Sequence, residues 1–148
     1  MKKRNFLLSI LLIAGLSVFA QQNSSVQQIP ANVKNKFTST YPNATNVTWE
    51  QSGGYFIPVF TNNNAVTKLL LDLKGTLIHT SVQIPATALP AAVSSYISAN
   101  YVGQNINEAD KLTMFNGATR YEVVVGGADM LFDSNGAFIK MASGPLKQ

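Results

Sequence analysis

From Ile29 onward the apolar positions fall first at intervals of four and then at intervals of two. The same change recurs at an offset of 60 residues. Ile29, Val33, Phe37 and Tyr41 share the four-residue spacing, as do Leu89, Val93, Ile97 and Tyr101. Each set makes an apolar stripe along one face of a helix. Pro30 and Pro90 suit a first helical turn, where a missing N–H costs nothing, and Pro42 and Gly103 stop the two helices. Tyr41 and Tyr101 read as rings turned to a core with their hydroxyls in water.

Behind each helix the pattern becomes strand-like. The first set of predicted strands covers Asn46–Glu50, Tyr55–Thr61, Val66–Asp72 and Thr76–Ile84. The second covers Ile106–Phe115, Thr119–Val125, Ala128–Asp133 and Ala137–Ala142. Ser52-Gly53-Gly54, Asn62-Asn63-Asn64 and Asn116-Gly117 are turn sequences, because Gly and Asn tolerate positive φ. Asp72-Leu73-Lys74-Gly75 is answered by Asp133-Ser134-Asn135-Gly136, so a later turn is duplicated as well.

The fold class that follows is α+β: two tandem repeats, 29–84 and 89–144, each one helix plus a four-stranded antiparallel sheet. Side by side the sheets give one curved eight-stranded sheet with helices on one face and the other face open for binding. Two copies are too few for a solenoid.

Charge alters the picture only at the N-terminus. The chain of 148 residues has net charge +4, but Lys2, Lys3 and Arg4 stand directly before the uncharged run Phe6–Ala20. A basic start, a short apolar run and small residues at its end describe a secretory signal peptide, cleaved after Ala20. The polar stretch 21–28 reads as a flexible leader. Without residues 1–20 there are eight basic and seven acidic residues, a net of +1. No Lys/Arg cluster remains for nucleic acid, and no cysteine exists to carry a lipid anchor. The chain is expected in the periplasm or the extracellular medium, with no stable membrane anchor after cleavage.

The order of these motifs resembles a known family. Ile29-Pro30, Val33, Phe37 and Tyr41-Pro42 are followed by Ala44, Val47 and Trp49, then Tyr55, then Asp72 and Gly75. This set is similar to the β-lactamase-inhibitor-like, PepSY-like family of exported bacterial proteins, over essentially the whole chain past the signal. The resemblance implies tandem α+β units forming a curved antiparallel sheet, no catalytic residues and a role in protein binding or inhibition. The secreted lactamase inhibitors of similar architecture carry disulfides and insert an acidic hairpin residue into the enzyme. This chain has no cysteine, and its nearest equivalent segment, Glu50–Tyr55, places Glu50 at a strand end.

Catalytic chemistry finds little support. His79 is the single histidine, no Gly-x-Ser-x-Gly elbow accompanies it, and its alternation with Ile78 and Thr80 predicts a solvent-facing strand position. Asp129, Asp133 and Asn135 lack the glutamate that completes an EF-hand loop, and a repeated hairpin turn explains them. All seven acids can be read as exposed, and none makes a glycosidase pair. No enzyme activity, cofactor or metal is expected. Trp49, Tyr55 and Tyr121, with Arg120 and Glu50, are the candidate partner-binding residues, because large rigid side chains able to hydrogen bond anchor interfaces; alternation of Trp49 with Val47, and of Tyr121 with Val123 and Val125, favours core positions for those two. The reading is a non-enzymatic exported module for a protein or peptide partner. A small-ligand-binding protein and a structural envelope protein are the alternatives.

Overall fold

The computed structural model describes residues 28–142; the predicted signal peptide, nearly all of the leader and the last six residues lie outside them. Helix α1 (Ala31–Thr40) is followed by β1 (Thr45–Ser52), β2 (Tyr55–Asn62), β3 (Ala65–Leu71) and β4 (Leu77–Gln83). A single 3-10 turn at Ala86–Ala88 leads to α2 (Ala91–Asn100), β5 (Ile106–Met114), β6 (Thr119–Val125), β7 (Ala128–Asp133) and β8 (Phe138–Met141). The eight strands form one antiparallel sheet in chain order, and β4 pairs directly with β5 so that the halves are continuous. The predicted strands all exist, with ends displaced by at most two residues.

Both predicted helix stripes are present. Val33 and Phe37 are buried with Phe56, Phe60, Leu69 and Leu71, and Ile29, Tyr41 and Trp49 close the edge of that cluster. In the second half Leu89, Val93 and Ile97 are buried with Ala109, Val123, Val125, Met130 and Phe132. Pro30 and Pro90 stand one residue earlier than expected: both have extended ψ, 146° and 139°, and cap their helices from outside. The last turns end alike, with the Tyr41 amide on the Phe37 carbonyl and the Tyr101 amide on the Ile97 carbonyl.

The duplication reaches finer detail. Asp72 Oδ1 accepts the Lys74 and Thr76 amides, and Asp133 Oδ1 accepts those of Asn135 and Ala137. Gly75 (φ +79°) and Gly136 (φ +85°) each lie against the start of their own helix: a Cβ would come within 3.2 Å of the Asn32 carbonyl or 3.0 Å of Pro90 and Ala92. The first strand of each half is bulged, near Thr45 and near Ile106, and the last pairing is bulged at Leu70/Leu71 and at Leu131/Phe132. Bulges bend strands and increase local twist, and these fall at matching places in the two halves.

Candidate functional site: a charged row on the second sheet face

Strand alternation gives the sheet two faces. One carries Leu69 and Leu71 of the first buried cluster and, on β6, Val123 and Val125 of the second. The other is traced across the sheet by register: Lys68 opposite Ser81, Ser81 opposite Leu112, Leu112 opposite Arg120 and Arg120 opposite Asp133. Neighbouring rows of this second face are Leu70–His79–Met114 and Gln83–Asp110–Glu122–Leu131–Lys140. Leu112, Met114 and Leu131 form a small buried cluster there, apart from the two helix-packed clusters.

Polar groups are buried in the middle of this face. Asp110 is 6% exposed, and its Oδ2 accepts the Ser81 hydroxyl at 2.9 Å and the Lys68 ammonium at 3.2 Å. Lys68 reaches Asp110 from β3 over the intervening β4, using the length of its stem. Burial would lower the Lys68 ammonium, yet Asp110, with Glu108 and Glu122 behind it, holds it above its ordinary value. Glu122 stands directly across from Asp110. Burial first, then the charges of Asp129 and Asp110, push its carboxyl up to about 7, against the attraction of Lys68. Burial also raises Asp129, whose Oδ1 is buried without a hydrogen-bond partner.

His79 corrects the sequence reading. It is 8% exposed, not solvent-facing, because a strand in the middle of a sheet is covered laterally, here by Leu70 and Met114. Burial first, and then Arg120, lower its imidazole to about 4, so it is neutral at physiological pH. The expectation that every acid is exposed is corrected in the same way by Asp110, which sits under Lys68 and Ser81. A cavity of about 100 Å³ opens among Ile57, Lys68, Leu70, His79, Ser81 and Glu122. Among the described residues no group of three or more His, Asp or Glu side chains is arranged to hold a metal ion.

The five residues singled out from sequence are divided between the faces. Trp49 is half-buried against the first core, edge-on to Phe37 at 5.3 Å, and Tyr121 packs against the second core. Glu50, exposed opposite Ile57, and Arg120, half-buried opposite Leu112 and Asp133, belong to the second face. Tyr55 begins β2 opposite Ser52, beside a cavity of about 330 Å³ shared with Gly53 and Asp72–Lys74. Lys68, Ser81, Asp110 and Glu122 were not singled out, and Asp129 entered only as a rejected calcium ligand. One signal was available: Arg120, Glu122 and Val124 alternate with Tyr121, Val123 and Val125, which sets a carboxylate on the face opposite a core run.

A family model described as "Putative beta-lactamase-inhibitor-like, PepSY-like" matches residues 20–79 and again 59–140. The chain belongs to this PepSY-like family. Two overlapping matches to one model agree with the duplicated turns and bulges. A solved structure described as "putative periplasmic proteins", from Bacteroides eggerthii, is similar with a TM-score of 0.68 at 17% identity, covering 78% of this chain and 89% of that one. A DUF2874 family protein from Bacteroides uniformis matches with a TM-score of 0.66 at 22% identity, over 76% and 88% of the two chains. A BLIP-like protein from Bacteroides fragilis gives 0.62 at 20% identity, over 80% and 88%. No curated protein matches the chain in sequence. Among the described residues of this PepSY-like chain, no helix is long and apolar enough to cross a membrane.

Proposed function

We propose that this PepSY-like protein is an exported, non-enzymatic binding module that engages a protein or peptide of the cell envelope through the second face of its sheet. The observation that carries the reading is the cavity bordered by both Ile57 on β2 and Glu122 on β6. In a flat sheet, strands four places apart lie roughly 19 Å from one another. Their meeting at one small cavity supports a sheet curved toward its second face, with both helices on the convex side. The register supports the helix placement, since Leu69, Thr80, Thr113 and Thr119 form one row that continues by alternation into Tyr121 and Val123.

On this reading Glu50, Tyr55 and Arg120 contact the partner, while Trp49 and Tyr121 brace those contacts from the core side. The basic start and apolar run of residues 2–20 support export, and similarity to the periplasmic protein of Bacteroides eggerthii supports the periplasm over the outside medium. The family description supports inhibition as one form the binding takes.

The test is capture by residues 21–148 from envelope and secreted fractions, with two variants in parallel. A stoichiometric partner retained by Lys34→Ala/Lys36→Ala on α1 and lost with Tyr55→Ala/Arg120→Ala is the expected result. Loss with the α1 variant alone contradicts the reading. A small-ligand role has one specific observation behind it, a cavity of about 430 Å³ between the β2–β3 turn, the end of β4 and the start of β5. Ligand co-purifying with the chain and displaced by Gln83→Trp would favour it.

A further inference from the structure

The carboxylates of the second face are not matched by cations. Lys68 from β3 borders the cavity and attracts Glu122, but its ion pair is with Asp110, and Asp133 of β7 is held by its own turn amides. Arg120, on the same strand as Glu122, acts on His79 of β4, and Lys140 of β8 lies beyond Leu131 in the Glu122 row. Glu108 and Asp110 face Glu122 from β5, and Asp129 faces it from β7. Among the described residues no cation forms an ion pair with Glu122, Asp129 or Glu108.

A second, independent observation lies at the same place. His79 is nine-tenths buried and borders the same cavity as Glu122, and its Nδ1 has no hydrogen-bond partner. A buried polar atom without a partner is costly in a native interior. A neutral imidazole uses its bare ring nitrogen as an acceptor, and an ammonium group brings three donors and no acceptor. The cavity, about 100 Å³, has room for such a group and the end of its alkyl stem.

We propose that this cavity is a subsite for a primary ammonium group, held by the Glu122 carboxylate with Asp129 behind it and by a ring nitrogen of His79. The inference rests on the binding-module reading and gives its partner a chemistry: an alkyl ammonium, as at the end of a lysine side chain. Glu122, raised to about 7, is partly protonated near neutral pH when the cavity is empty. Entry of the ammonium therefore favours the ionised form and releases up to one proton as pH falls below about 7, so binding weakens in that range.

The chain has one histidine, so its ring resonances are an unambiguous reporter. The exported protein is titrated with n-butylammonium chloride at several pH values and followed by NMR of His79. Potassium chloride and n-butanol serve as controls for charge screening and for the alkyl group. The expected result is a saturable shift at pH 8 that neither control reproduces, with affinity falling about tenfold per pH unit below 7. Glu122→Gln, close in size, is expected to weaken binding at least tenfold and to flatten its pH dependence, and Asp129→Asn to weaken it less. An equal response to potassium chloride or n-butanol overturns the proposal, as does unchanged binding by Glu122→Gln. Nα-acetyl-lysine methylamide separates the sources: binding like butylammonium assigns the subsite to a partner's lysine, and exclusion assigns it to a free amine. If no amine binds but capture still depends on Tyr55 and Arg120, this inference fails while the binding-module reading stands.

Discussion

The two halves of the sheet share the Asp-x-x-Gly turn, the bulges and the helix stripe but have opposite chemistry on the second face. Register equates Glu50 with Asp110, Ile57 with Glu122, Lys68 with Asp129 and His79 with Lys140. Where the first half has an apolar side chain and a cation, the second has two carboxyls. Position in the sheet then sets burial. Glu50 lies on the outermost strand and is exposed, whereas Asp110 lies on a central strand, 6% exposed beneath Lys68. The lesson is that duplication fixes the backbone position of a residue, and strand order decides whether its charge is solvated.

The cores differ too. Phe37, Phe60, Tyr41 and Trp49 make a run of aromatic contacts between 4.8 and 6.4 Å in the first half. In the second half, Val93, Ile97, Val123 and Val125 take over beside the Tyr96, Phe132 and Phe138 rings. The largest effect is expected there. Phe37→Ala should cost about 4 kcal/mol and the equivalent Ile97→Ala about 3 kcal/mol in urea unfolding. Since β4 and β5 pair, both should move one shared transition. Two separate transitions would show that the halves unfold as independent units.

Next in size is the buried ion pair. Lys68→Met strands the Asp110 carboxylate and should cost about 2 kcal/mol, less than for a fully buried pair because the Lys68 side chain is 38% exposed. Glu50→Gln, at the equivalent of Asp110, should change stability by less than about 0.5 kcal/mol. A comparable loss from both would remove the distinction between edge and centre. The turn glycines come next. Gly75→Ala and Gly136→Ala should each cost about 2 kcal/mol, from positive φ and from contact with a helix start. Gly117→Ala, with nothing within 4 Å of its Cβ, should cost only about 1 kcal/mol.

The smallest and most discriminating effect is in the pH dependence of stability. Glu122 is raised from 4.5 to about 7, so the folded state holds an extra proton between those values and stability falls as pH rises through them. His79 is lowered from 6.5 to about 4, so the unfolded state holds the extra proton and stability rises with pH across that window. The slopes oppose one another between about 4.5 and 6.5 and should nearly cancel in the native chain. Glu122→Gln should expose the rising slope and His79→Gln the falling one, each approaching 1.4 kcal/mol per pH unit at most.

Much of the fold was legible because its signals are local. The stripes from Ile29 to Tyr41 and from Leu89 to Tyr101, and the Asp-x-x-Gly turns, are readable within a dozen residues. The charged row was not, because Lys68, Ser81, Asp110 and Glu122 are brought together only by the pairing of four strands. His79 misled for a related reason. Period-two alternation names the face of a strand, but burial on that face depends on lateral neighbours and on sheet shape, which no single strand encodes. The aromatics chosen from sequence show the converse, since Trp49 and Tyr121 alternate with the core side and join it.

The central claim is that the middle of the second face holds a desolvated carboxyl that has no counterpart at Ile57 in the first half. Carbon-detected NMR of the glutamate carboxyls across pH 3–9 tests it most directly. The account predicts one resonance titrating with a midpoint near 7 and missing from Glu122→Gln. If no glutamate of the native chain titrates above pH 5, the row is solvated and the account is contradicted.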